Sequence, residues 1–191
     1  MFRQKTDKRV AVFFAEGFEE VEAISVVDIL FRAGIPCDMV SITGELNVTS
    51  SREVTVVCNR SIADEGFDFD EYDMLVLPGG IPGTPNLAAN KTVTDTCVSF
   101  AKSGKKVAAI CAAPSVLASL GLLEGKNATA HAGFQDKLAG AHVLDAEVVV
   151  DGNITTSYGL GGAIPFALEL VRQLAGQAEA DHIRNAIAYR H

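Results

Sequence analysis

The segment Lys105-Lys106-Val107-Ala108-Ala109-Ile110-Cys111-Ala112-Ala113-Pro114-Ser115-Val116-Leu117-Ala118 changes character in its middle. Val107 to Ile110, small and β-branched, reads as a buried strand. The run ends at a cysteine, two alanines and a proline follow, and a helical pattern begins. Proline suits the first turn of a helix, where its missing N–H costs nothing. Cys111 therefore falls on a sharp strand-to-helix turn whose small neighbours allow close backbone approach. The helix behind it offers unpaired N–H groups and the positive end of a dipole. This is the construction of a nucleophile elbow, with sulfur where hydrolases of that design carry oxygen.

The placement bears on reactivity. A thiol with pKa near ~8.5 is about 3% ionised at pH 7, and one lowered to ~6 is roughly 90% ionised. The competing reading is an inert packed cysteine, a common fate of free thiols. The elbow alone leaves both open.

Working outward, the 191 residues suffice for one domain spanning 1–191, with residues 1–8 expected to be frayed. A hydrophobic fraction of 48% and a charged fraction of 21% are those of a soluble globular chain. The formal net charge of −8, with no basic patch, argues against a nucleic-acid surface. The apolar run Val10 to Ala15 is too short for a signal peptide core and no stretch approaches membrane-spanning length, so a cytoplasmic protein without membrane contact is expected. Cys37, Cys58, Cys97 and Cys111 show no CxxC pair or zinc-type spacing. No metal is expected, and the first three cysteines read as inert, reduced thiols.

Arg9 to Ala15 is predicted to be a strand, Glu16-Gly17 a turn, Phe18 to Ala33 a helix closed by Gly34, and Ile35 to Ile42 the next strand. No GxGxxG follows the first strand, which excludes a dinucleotide fingerprint. Residues 44–62 alternate weakly and suggest short edge strands, with Val54 to Cys58 the clearest. Met74 to Leu77 is a buried strand running into Pro78-Gly79-Gly80-Ile81-Pro82-Gly83-Thr84-Pro85. On spacing this is a connecting loop, although its glycines can also turn N–H groups outward. A helix over 91–103, a helix from the elbow to about Leu120, and an extended piece at Ala128–His131 follow. Asp151-Gly152 between two β runs is a hairpin signature. Tyr158-Gly159-Leu160-Gly161-Gly162 is a second glycine-rich loop, before helices at Ala163–Leu174 and Glu179–Tyr189. The alternation predicts an α/β three-layer sandwich with a mostly parallel central sheet. Its site should lie beyond the carboxyl ends of the strands. The Glu16-Gly17 loop, the Pro78-Gly79-Gly80 loop, Cys111 and His131 all fall there. His142, His182 and His191 read as surface groups.

Glu22 shares a helix face with Phe18, Val26 and Ile29. A carboxyl on that face is desolvated and its pKa rises, and a protonated one beside a thiolate would lower the pKa of the thiol. Periodicity does not single out Glu22 from Glu19 or Glu20, and all three can equally be a solvated acidic first turn.

The motifs Ala15-Glu-Gly-Phe-Glu-Glu-Val-Glu22, Val76-Leu-Pro-Gly-Gly80, Ala108-Ala-Ile-Cys-Ala-Ala-Pro114 and Thr156-Ser-Tyr-Gly-Leu-Gly161 stand in order along nearly the whole chain. Together they resemble the ThiJ/PfpI superfamily, and within it the Parkinsonism-associated deglycase branch. The resemblance implies a flavodoxin-like sandwich forming a homodimer. It places the reactive cysteine at Cys111, a protonated glutamate at Glu22 and a pocket histidine at His131. The amides of Gly80 and Ala112 become the oxyanion or anion site, with Gly79, Arg52 and Tyr158 in the pocket. Ala113, Ala132 and Tyr158 stand where relatives often have glycine, proline and arginine, and Tyr158 removes a cation from the pocket rim. Arg52 and Arg32 match positions that are basic in relatives.

The leading expectation is a cysteine-dependent, cofactor-independent glyoxalase or deglycase acting on methylglyoxal, glyoxal or their adducts. The alternatives are a redox sensor or chaperone built on an oxidisable Cys111, and an amidase- or peptidase-like hydrolase.

Overall fold

In chain order the computed structural model, which describes residues 2–190, runs β1 (Val10–Phe14), α1 (Glu20–Arg32), β2 (Cys37–Ser41), β3 (Asn47–Thr49), β4 (Thr55–Val57), β5 (Arg60–Ser61) and β6 (Met74–Leu77). It continues with α2 (Gly83–Ala89), α3 (Lys91–Ser103), β7 (Lys106–Ile110), α4 (Pro114–Ser119), β8 (Asn127–Ala128) and β9 (His142–Val143). The last elements are β10 (Val148–Asp151), β11 (Ile154–Ser157), α5 (Ala163–Ala175) and α6 (Gln177–Ala186).

The central sheet has seven strands in the order β10-β11-β7-β6-β1-β2-β5. Every pairing is parallel except β10 with β11, the hairpin that Asp151-Gly152 signals. The mostly parallel sandwich expected from the sequence is the fold observed. Strand alternation divides the core. Val10, Val12 and Phe14 face a layer with Val26, Leu30, Phe166 and Leu170 from α1 and α5, and Ala11, Phe13 and Ala15 face Val93, Cys97, Phe100 and Leu117 from α3 and α4. Strand order reverses between β1 and β6, since β2 lies on one side of β1 and β6 with β7 on the other. In open parallel sheets that reversal leaves a crevice at the carboxyl ends.

Several expectations change in detail. Residues 47–57 form a separate antiparallel ribbon of β3 and β4, and the edge of the main sheet is the two-residue β5. Cys58 lies just past β4. The loop after β6 contains α2, whose Gly83-Thr84-Pro85 start hides a helix behind turn residues. The extended piece at 128–131 is a strand only at Asn127–Ala128 and pairs with β9 outside the main sheet. Residues 2–8, expected to be frayed, form no helix or strand but make contacts. The Lys5 N–H donates to the Gly34 carbonyl at 2.8 Å, and its Nζ meets Glu179 at 2.8 Å. His142 and His182 are exposed as expected; His191, like Met1, lies outside the described residues. Among the described residues no helix is long and apolar enough to cross a membrane.

At the amino ends of the strands the buried Asp38 accepts from Arg9 at 2.8 Å, the Tyr72 hydroxyl at 2.8 Å and Asn59 Nδ2 at 2.6 Å. Removing a buried charge partner strands the groups around it, at a cost of about 3 kcal/mol. Asp38→Ala is therefore expected to lower Tm by roughly 6–12 °C, measured by calorimetry, and thiol chemistry at the opposite end of the sheet should be unaffected once folded.

Candidate active site

Strand β7 is locked between β6 and β11, so the chain must turn where the sheet ends. It turns at Cys111, whose φ is +65°. This left-handed conformation is uncommon for any residue but glycine, and persists only where the surroundings hold it. Two backbone bonds do so: the Cys111 N–H donates to Ser157 O at 2.9 Å, and the Cys111 carbonyl accepts from His131 N at 2.9 Å. Pro114 then opens α4. The half-buried side chain of Cys111 thus stands above the carboxyl edge of the sheet.

Glu22 arrives from the first turn of α1. Glu19 caps α1, its Oε2 accepting the Glu22 N–H at 2.7 Å, and the next turn carries Glu22 inward to 0% exposure. Its Oε2 accepts the Gly79 N–H at 2.9 Å, while Oε1 is buried with no aligned partner. Gly79 lies between acid and sulfur. A Cβ there would stand 2.7 Å from both Cys111 Cβ and Glu22 Oε2, so only glycine fits.

Burial is the main cause that raises the Glu22 carboxyl from 4.5 to about 7, and the charge of Glu19 adds to it. Contacts with Cys111 and the Gly79 amide pull the other way. Burial, then the charge and hydrogen bond of an ionised Glu22, push the Cys111 thiol up to about 12, while the Ala112 and Gly80 N–H groups pull it down. The depressed thiol pKa expected from sequence is thus conditional on the proton residing on Glu22. With that proton in place, the same contact becomes a donor to sulfur and its effect changes sign. The two groups form one titrating unit that takes on a single negative charge as pH rises past about 7.

His131 is exposed, and its Nδ1 accepts the Gly133 N–H at 3.2 Å, which assigns the remaining ring proton to Nε2 in the neutral form. Its ring and the sulfur flank Gly159, where a Cβ would lie 3.6 Å from His131 Cδ2 and 3.7 Å from Cys111 Sγ. Cys111, Glu22, His131, Gly79, Gly80 and Ala112 are therefore brought together.

One expected pocket residue is placed differently. Arg52 is exposed on the turn after β3, and its guanidinium donates to the Ser51 carbonyl at 3.2 Å rather than to the sulfur site. Tyr158 lies back over Gly161 and Gly162. Arg32 pairs with Asp28 at 2.6 Å at the far end of α1. Sequence reasoning did not identify Ser157 or Gly159. Both stood inside a quoted motif, but Ser157 acts through its carbonyl, which no residue type advertises. Cys58 and Cys97 are pushed up to about 12 by burial, and Cys37 is raised for the same reason, as befits packed thiols. Among the described residues no group of three or more His, Cys, Asp or Glu is placed to hold a metal.

Comparison with known proteins places this geometry among relatives. The DJ-1/PfpI family matches residues 8–173. Protein dj-1beta of Drosophila melanogaster is 36% identical over 182 residues, covering 94% of this chain and 96% of that protein. A protein of Pyrococcus abyssi named a deglycase is 34% identical over 168 residues, covering 87% and 99%. The solved structure of oxidised DJ-1 from Toxoplasma gondii superposes with a TM-score of 0.90 at 34% identity, covering 96% of this chain and all of that one.

The coupled pair has a measurable pH signature. Below the Glu22 value of about 7 both groups hold their protons, so alkylation of Cys111 by iodoacetamide should rise with pH through that region. In Glu22→Gln the rise should move upward by at least ~1 pH unit, because the isolated buried thiol ionises later. Stability reports the same shift. Up to about 7 the native pair keeps both of its protons, whereas the unfolded chain loses the Glu22 proton at 4.5, so stability is full below 4.5 and falls as pH rises to about 7. The loss is roughly 3 kcal/mol, and Glu22→Gln should flatten that slope in denaturant titrations.

Proposed function

On the premise that this chain belongs to the DJ-1/PfpI family, we propose that it is a cysteine-dependent enzyme acting on methylglyoxal, glyoxal and their adducts. The observation that carries this reading is the strained Cys111 set against a buried acid, with the Gly80 and Ala112 N–H groups beside its sulfur. The deglycase name of the Pyrococcus abyssi relative supports it.

For methylglyoxal the steps are these. The Cys111 thiolate adds to the aldehyde carbon, forming a C–S bond, while the carbonyl π electrons become an alkoxide held by the two amides. Glu22 delivers its proton to that oxygen, giving a hemithioacetal. The carboxylate so formed, or His131, takes the proton from the former aldehyde carbon, and the electron pair moves onto the ketone oxygen to give an enediolate. A proton returned to the neighbouring carbon, with the hydroxyl proton of the first carbon passing to the second oxygen, leaves a thioester bearing a hydroxyl group. Water hydrolyses the thioester, releasing lactate and regenerating the thiolate. One carbon is oxidised and its neighbour reduced, so the sequence needs water but no external oxidant or cofactor. An amine adduct would enter by losing its amine as the C–S bond forms.

A homodimer is part of this proposal. Val21 and Ile24 on α1 and Val54 on the adjacent turn are 43%, 37% and 47% exposed, and they line one apolar groove. A second copy would cover that groove and give Arg52, two residues before Val54, a partner surface.

A second reading, a redox sensor, is favoured by the oxidised state of the Toxoplasma gondii relative. In it the same sulfur takes oxygen from a peroxide and Glu22 hydrogen-bonds the product. Lactate formation from methylglyoxal separates the readings. Cys111→Ser is expected to abolish it, and Glu22→Gln to lower kcat/KM by about 10²-fold. Unchanged turnover in Cys111→Ser would remove the enzymatic reading. Negligible wild-type turnover with two oxygens added at Cys111 at low peroxide, seen by intact mass, would favour the sensor.

A further inference from the structure

Three hydrogen bonds close a ring beside the sulfur, and Glu19 makes two of them. Its N–H donates to the Gly79 carbonyl at 3.0 Å. The Gly79 N–H donates to Glu22 Oε2 at 2.9 Å, and the Glu22 N–H returns to Glu19 Oε2 at 2.7 Å. The ring holds Glu22 by its carboxyl at one end and by its backbone at the other. Gly80 packs on the same residue: its φ is +95°, and a Cβ there would stand 2.5 Å from the Glu19 nitrogen. Because the Gly79 N–H occupies Oε2, the proton of a neutral Glu22 belongs on Oε1, the oxygen that no N–H reaches.

Capping alone does not call for a glutamate at this position. Serine, threonine, asparagine and aspartate are the side chains that usually satisfy the first N–H groups of a helix, and three of those four carry no charge. Glu19 instead brings a partly buried carboxylate into the turn that holds the buried carboxyl of Glu22. Its charge acts on Glu22, whereas the Cys111 thiol is moved by burial, by Glu22 and by the Ala112 and Gly80 amides. Among the described residues neither Glu19 nor Glu22 is in an ion pair. The layer in which α1 packs on β1 and α5 is apolar, with Phe14, Ala163 and Phe166 among its members. The loop after β6 offers Glu22 only the Gly79 amide, and the elbow offers Cys111, which His131 meets across Gly159. Glu20, next in the chain, lines the groove of Val21, Ile24 and Val54.

We propose that Glu19 is a positioning residue for the sulfur chemistry: it holds Glu22 against Gly79, and its negative charge keeps the shared proton on Glu22, so that the charge of the pair resides on sulfur. The proton passes from Cys111 Sγ to Glu22 Oε1, and the net charge of the pair is unchanged by that step. With a neutral residue in place of Glu19, Glu22 competes better for the charge and the proton returns to sulfur. The inference rests on the cysteine-dependent reading only where turnover is measured; the position of the proton is read without substrate.

Four variants separate charge from capping. Glu19→Asp keeps both, while Glu19→Asn and Glu19→Gln keep an oxygen for the Glu22 N–H and lose the charge. Glu20→Gln removes one charge from the same turn. The Cys111 thiolate is followed by ultraviolet absorbance across pH, with the matching Cys111→Ser protein as blank. Above about 7, where the pair is singly charged, the ratio of thiolate to thiol should fall about five-fold in Glu19→Asn and Glu19→Gln, the size of one partly screened charge nearby. The first ionisation of the pair should at the same time move to lower pH, because Glu22 then releases its proton more easily. Glu19→Asp and Glu20→Gln should stay within about two-fold of wild type. A purely structural role predicts that the three Glu19 variants behave alike. That result, an equal fall in Glu20→Gln, or undiminished thiolate in Glu19→Asn and Glu19→Gln would overturn the proposal.

Turnover provides the second arm. In the same pH range kcat/KM for methylglyoxal should fall in step with the thiolate fraction in Glu19→Asn and Glu19→Gln, and recover in Glu19→Asp. If wild type consumes methylglyoxal and Glu19→Gln keeps its thiolate, the positioning role fails and the enzymatic reading stands. If wild type consumes no dicarbonyl, the enzymatic reading fails, and the thiolate absorbance alone decides the role of Glu19.

Discussion

A single negative charge shared between a buried and a half-buried side chain is the constraint around which the site is arranged. Glu22 and Cys111 are both too desolvated to ionise together, so one proton must remain between them. Where it sits decides what the protein can do. On sulfur, the site holds an inert thiol beside a carboxylate. On Glu22, it holds a nucleophile whose acid is ready to protonate an oxygen. The Gly80 and Ala112 N–H groups favour the second arrangement, because they stabilise charge on sulfur.

The fold supplies this pair through its topology. Strand order reverses between β1 and β6, so the chain leaving β1 brings Glu22 to the crevice and the chain leaving β6 brings Gly79 and Gly80. β7 lies beside β6, and its end delivers Cys111 to the same edge. Packing leaves no slack between them. The Glu19 N–H donates to the Gly79 carbonyl at 3.0 Å while the Gly79 N–H holds Glu22, so one peptide segment ties both loops. The left-handed Cys111 is held by Ser157 and His131, which are themselves tied to the last hairpin and the loop after β8.

Much of this was legible in the sequence because it rests on local signals. The elbow follows from an apolar run, a cysteine and a proline, and the hairpin from Asp151-Gly152. What stayed hidden depends on tertiary placement. Periodicity could not separate Glu22 from Glu19 and Glu20, since all three lie in one turn; the structure makes Glu19 a cap and Glu22 a core residue. Helix α2 was masked by Gly83 and Pro85, which signal turns wherever they occur. Arg52 was expected in the pocket on resemblance, but within one chain it bonds to its own turn.

Infrared difference spectroscopy across neutral pH, with thiolate absorbance followed on the same sample, locates the shared proton most directly. If the account is right, a protonated-carboxyl C=O stretch absent from Glu22→Gln persists as the Cys111 thiolate appears. Loss of that band while Cys111 remains a thiol would put the charge on Glu22 and contradict it.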